Sequence, residues 1–109
     1  IAVSSGNSFV HETESQVILN GSYNINFTMD LVLKDTGLFD SLAKKLNAPL
    51  EISPKIVEIF KDGQKKYGSR AWSSMIVKRM EDLNKIDFRA DGFPDELVDN
   101  EPEEKGYEI

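Results

Sequence analysis

The chain has 109 residues, 39% of them hydrophobic and none of them cysteine, and a formal net charge of −6. That fits one small domain with a modest core; it excludes disulfides, cysteine–zinc sites and cysteine nucleophiles and fits a reducing compartment. Residues 95–109 hold seven of the 19 acids and one of the 13 bases, so the body is neutral, and without a basic stripe nucleic acid is not an expected partner.

The first predicted element is a helix within 5–19, with Phe9, Val10, Val17, Ile18 and Leu19 as its apolar residues, stopped at Asn20-Gly21-Ser22. Tyr23, Ile25 and Phe27 alternate as an extended lead-in to a long helix over 27–46, which Asn47-Ala48-Pro49 ends. Ser53-Pro54 reads as a Ser N-cap with Pro at the first helical position. Ile56, Val57, Phe60 and Tyr67 continue that helix, Gly68 closes it, and Gly63 inside it would permit close helix packing. A last helix is predicted over 71–83, with Trp72, Met75, Ile76, Met80 and Leu83 on one face. From Asp87 the periodicity stops, and an extended, solvated acidic tail is expected, with Phe88, Phe93, Leu97 and Tyr107 as possible surface anchors. The expected fold is all-α, about four helices over 1–86, with a tail over 87–109.

The long helix carries the most informative residues. Counting Phe27 as zero and about 100° per residue, Leu38, Leu31, Leu42, Leu46 and Phe39 fall between roughly 20° and 120°. Asp35 lands near 80°, inside that apolar arc, and Lys34 near −20°, in line with Phe27. A carboxylate among leucines is costly without a partner, so Asp35 is either a buried acid bonded to a neighbouring helix or part of a site. Asp40, near 220°, is expected to be solvated. Lys34 can pair with Asp30 four residues earlier, or reach along the Phe27 stripe toward an anion such as a phosphate, or toward a ribose.

Self-contained chemistry is otherwise sparse. The seven glycines form no G-x-G fingerprint and no Walker loop. His11 is the only histidine and is expected on a helix surface, so no metal site is expected. The serines lack a base at a recognisable spacing. No apolar run reaches the roughly 20 residues of a membrane span, and no signal peptide is visible. The chain begins with Ile1 rather than Met, as expected of a piece of a longer protein.

The run Phe27-Thr28-Met29-Asp30-Leu31-Val32-Leu33-Lys34-Asp35-Thr36-Gly37-Leu38 resembles a helix in the C-terminal domain of the β-hydroxyacid dehydrogenases, a family that includes 3-hydroxyisobutyrate dehydrogenase. Its neighbours agree in order and spacing: Ser5-Gly6-Asn7-Ser8 upstream, then Asn47 to Leu50, then Tyr67-Gly68. The resemblance covers about residues 1–86. Ala71-Trp72-Ser73-Ser74 departs from the family's usual Asp-x-Ser step and leaves the subfamily open.

The resemblance implies an all-helical domain that closes a cleft against an N-terminal Rossmann domain of the same protein, with NAD or NADP between them. By position, Lys34 would contact the cofactor, Phe27 would line the substrate side, and Asp35 would stand at the inner wall. The family's catalytic lysine and glycine-rich loop lie upstream of this chain, so no catalytic residue is assigned and the fragment alone should be inactive. A small hydroxy acid is the implied substrate, a homo-oligomer the implied assembly, with Leu33 and Trp72 as interface candidates, and the cytoplasm the implied location. The rival reading is a stand-alone helical interaction module whose acidic tail recruits a protein partner.

Overall fold

The computed structural model describes residues 1–97 and Gly106. Residues 98–105 and 107–109 of the acidic tail, Tyr107 among them, lie outside the described residues. Four α-helices follow in order: α1 Phe9–Asn20, α2 Met29–Lys45, α3 Ser53–Tyr67 and α4 Lys78–Asn84, with a 3-10 helix at Ser73–Val77. The described residues contain no strand, only an isolated antiparallel bridge between Thr28 and Trp72. None of their helices is long and apolar enough to cross a membrane. The expected all-α fold is present.

The helix stops follow the local chemistry. Ser8 caps α1 through its hydroxyl, which accepts from the His11 N–H at 3.0 Å. Gly21, at φ 93°, ends α1 in the left-handed conformation. Asn47, at φ 52°, does the same just past α2. Gly68 closes α3, its N–H reaching the Gln64 carbonyl at 2.9 Å.

Three boundaries differ from expectation. Phe27 is not helical: the backbone is left-handed at Asn26 and extended at Thr28, the N-cap residue, and the Phe27 carbonyl accepts from the Ser73 N–H at 2.8 Å. Ser53 does not cap α3: it is already the first helical residue, Ile52 holds the N-cap position, and the Ser53 hydroxyl donates to Asp40 Oδ1 at 2.6 Å, with Asp40 half-buried rather than solvated. The predicted helix over 71–83 is split. Trp72 is extended to make the bridge, and Ser74 is buried with its hydroxyl on the Tyr23 carbonyl at 2.7 Å. The chain therefore runs first as 3-10 and becomes α-helical only at Lys78. Met80 and Leu83 end up exposed.

The largest departure concerns the face of α2. Met29, Thr36, Asp40 and Ala43 share a sector between roughly 160° and 220° on the same count, and that sector meets α3. Met29 and Ala43 are buried there, and Asp40 receives the bond from Ser53. A Cβ placed on Gly63 of α3 would sit 2.7 Å from Ile76 Cδ1 and 3.2 Å from Met29 Sδ, so this glycine does permit the close packing expected of it. The leucine arc points the other way. Leu38, Phe39, Leu42 and Leu46 are 53–68% exposed.

Candidate functional site

Lys34 and Asp35 stand together on the open side of α2. Their side chains are 60% and 56% exposed, and Lys34 Nζ lies 3.2 Å from Asp35 Oδ1. Asp35 is therefore not a buried structural acid within this chain; α3 packs on the opposite side of α2, and solvent together with Lys34 satisfies the carboxylate. Asp30 does not pair with Lys34 either. It accepts from the Thr28 hydroxyl and, at 3.0 Å, from the Leu31 N–H, and its other oxygen lies 3.2 Å from Arg70. The Thr28 bond first, then Arg70, hold the Asp30 carboxyl below its ordinary value. Asp30 thus belongs to the frame of the helix start.

That start is closed to anions. The Met29 and Asp30 N–H groups donate to the Ala71 and Ser69 carbonyls at 2.9 and 3.1 Å, so donors that a helix N-terminus could offer a phosphate are already used. Lys34 is an exposed cation in the first half of α2, while Lys44 and Lys45 lie in its last turn.

Phe27 is 37% exposed and lines an open groove of about 330 Å³ with Phe9, Val10, Thr13, Ile25 and Leu97. Glu14 borders the same groove, and burial pushes its carboxyl up. At the loop before α1, inside Ser5-Gly6-Asn7-Ser8, Asn7 donates to Glu12 Oε1 at 2.6 Å. Its own Oδ1 is the buried side-chain polar atom left without a partner among the described residues. A second, mainly apolar groove of about 510 Å³ lies at the far end of α2, with Thr36, Phe39, Pro49, Leu50, Ile52 and Ile56 in its walls. Leu33 and Trp72 are half-buried. The described residues hold no cluster of acids and histidines fit for a metal.

The residues that sequence reasoning missed form a polar cluster around Glu81, which is 1% exposed. Its carboxylate accepts from the Tyr23 hydroxyl, from the Phe88 N–H at 2.9 Å and from Arg89 at 2.8 Å. Burial pushes the Glu81 carboxyl up, but these donors outweigh it and hold the carboxyl below its ordinary value. Burial and the bond to Glu81 push the Tyr23 phenol up to about 12. Arg89 also donates to the Tyr23 hydroxyl at 2.9 Å and lies 5.3 Å from the centre of that ring. Nothing in the local sequence of Glu81 marks it as buried. Its partner Tyr23 is 58 residues away.

Chemically, α2 offers an exposed cation beside an acid and an uncovered apolar arc, while Phe27 lines a groove with α1, Ile25 and Leu97 that neither Lys34 nor Asp35 borders. The sequence holds no glycine-rich dinucleotide loop. Comparison with curated proteins and with solved structures returned no match. Residues 1–80 match the family model described as NAD-binding of NADP-dependent 3-hydroxyisobutyrate dehydrogenase. Phe27, Lys34 and Asp35 fall inside that match, which spans most of the chain, and the chain belongs to the 3-hydroxyisobutyrate dehydrogenase family.

Proposed function

We propose that this chain is the C-terminal helical domain of an NAD(P)-dependent β-hydroxyacid dehydrogenase. In the whole enzyme it closes the cofactor and substrate cleft against an N-terminal Rossmann domain and supports subunit assembly. The observation that carries the reading is the Lys34–Asp35 pair, held in solvent on a helix whose opposite side does the packing. A point charge on a flexible stem suits a ribose or phosphate oxygen brought by another domain. Asp35 keeps the ammonium over the helix and stands at the inner wall. Phe27 presents an aromatic surface to the substrate side and excludes water there.

These residues fit a dinucleotide only as a second wall. One cation and one aromatic groove are present, and the glycine-rich loop is not in this sequence. When bound, the cofactor would take or give hydride at its nicotinamide ring; the acid/base lysine belongs upstream. The chain by itself is then inactive. The exposed arc of Leu38, Phe39, Leu42 and Leu46 is larger than scattered surface leucines require and suits burial against another subunit.

The test is an assay of the full-length enzyme with a panel of small 2- and 3-hydroxy acids and both cofactors. Reduction of NAD or NADP by at least one of them is expected. An enzyme that reduces neither cofactor with any of the acids would overturn the reading. An Asp35→Asn variant is expected to lose several-fold in kcat/KM, and wild-type kinetics in that variant would remove Asp35 from the site wall.

A further inference from the structure

The family match ends at residue 80, and just beyond it Glu81 anchors a buried polar cluster with Tyr23 and Arg89. It fixes a segment that the match does not reach. Arg89 donates to Glu81, to the Tyr23 hydroxyl, to the Phe88 carbonyl at 2.7 Å and to the Ile18 carbonyl at 3.4 Å. A guanidinium over the last carbonyls of α1 is favourable for the helix dipole. Its room is reserved: a Cβ on Gly21 would lie 2.5 Å from Arg89 Nε. The following residues are tied down as well. The Ala90 N–H donates to the Leu19 carbonyl at 3.0 Å, and Asn20 donates to the Phe93 carbonyl at 3.0 Å.

The receiving side is equally determined. Tyr23 is left-handed at φ 54°, a conformation that costs a tyrosine free energy. It is held by its N–H on the Val17 carbonyl at 3.1 Å, by the Ser74 hydroxyl on its own carbonyl, and by its phenol on Glu81. Four residues past Phe93, a reach of at most about 14 Å, Leu97 enters the groove of Phe27. Leu97 and Glu96 also border the neighbouring cleft formed with Asn24, Asn26 and Trp72. An apolar side chain between Asp95-Glu96 and the acidic tail is thus carried onto the aromatic surface assigned to the substrate side.

We infer that residues 88–97 are a strap, latched by Arg89 into Glu81 and Tyr23, whose Leu97 completes the Phe27 wall of the cleft and restricts it to hydroxy acids with short side chains. This rests on the reading that Phe27 faces substrate. Leu97 is the specificity-determining residue; Glu81 and Arg89 are positioning residues that act through the strap. Removing the leucine opens the groove beside Phe27 to a longer aliphatic substituent, and releasing the latch does the same from a distance.

The experiment uses the full-length enzyme with 2-methyl- and 2-butyl-3-hydroxypropanoate as probes. Leu97→Ala is expected to shift the ratio of kcat/KM toward the butyl compound by about tenfold. Arg89→Ala is expected to produce a shift of the same sign, and the double variant no more than the larger single effect. Two readouts do not depend on activity. Hydroxyl-radical labelling of Phe27, already 37% exposed, should rise by up to about twofold in both variants, and amide exchange at Phe88 and Ala90 should accelerate in Arg89→Ala. Leu97→Ala, at a side chain already exposed, keeps the test independent of folding. Unchanged labelling of Phe27 in both variants would overturn the strap. Raised labelling with an unchanged substrate ratio would overturn its role in specificity. An enzyme that oxidises neither probe nor any other hydroxy acid would count against the parent reading, and Phe27 labelling would still judge the strap.

Discussion

The two ends of α2 obey opposite rules. At its start the helix is tied into the fold: Thr28 and Met29 are buried, and backbone carbonyls of residues 69 and 71 take the first free N–H groups. Toward its end Leu38, Phe39, Leu42 and Leu46 lie open, while the half-buried Asp40 faces α3. Hydrophobic burial therefore does not by itself decide which side of this helix turns inward. Close approach decides it, through Ala43, Gly63 and a satisfied carboxylate. The open arc and the Lys34–Asp35 pair stay exposed among the described residues.

The contrast predicts where substitutions hurt. Glu81→Ala removes the acceptor shared by Tyr23, Arg89 and the Phe88 N–H. It should cost about 3 kcal/mol, because a buried charge network loses one partner, read as a lowered urea midpoint. Gly63→Leu should cost about 2 kcal/mol by overpacking against Ile76 and Met29, in the same measurement. At the other end, Leu42→Gln should change the stability of the chain by less than about 0.5 kcal/mol. In the assembled enzyme it should instead weaken subunit association, read by sedimentation.

Acid sharpens the same comparison. The Glu81 carboxyl is held below its unfolded value near 4.5. A depressed acid contributes stability that is present above that value and is lost as pH falls through the folded value. The stability gap between wild type and Glu81→Gln, from urea titrations, should therefore narrow on going from neutral pH to below 4.5. The phenol works in the opposite direction. Raised from 10.0 to about 12, it contributes stability below 10 that is lost as pH rises toward 12.

Much of the frame was legible in the chain because it is written in local chemistry. Gly21, Gly68 and the Asn47-to-Pro49 stop need only their own neighbours to end a helix. The orientation of α2 was not legible, since an amphipathic arc says that a face will be buried but not by what. Ser53 reads as a cap, but the helix starts one residue earlier than that reading needs, and its hydroxyl donates to Asp40 thirteen residues away. The 3-10 stretch depends on a bridge between Thr28 and Trp72 and on a bond from Ser74 to Tyr23, both set by distant residues. The latch is of the same kind: Tyr23, Glu81 and Arg89 share no spacing, and only the fold brings them together. The candidate pair at Lys34 and Asp35 was found for a reason that needs revision. Asp35 is not an acid trapped among leucines but one member of an exposed pair, and Phe27, outside the helix, lines a groove that neither of them borders.

On the proposed function, Lys34 contacts the dinucleotide. Titration of the full-length enzyme with NADH and NADPH, following nicotinamide fluorescence, tests it most directly. Lys34→Ala should raise the Kd of the preferred cofactor about tenfold, the loss of one charge-assisted contact, without moving the urea midpoint by more than about 0.5 kcal/mol equivalent. An unchanged Kd for both cofactors would contradict the account.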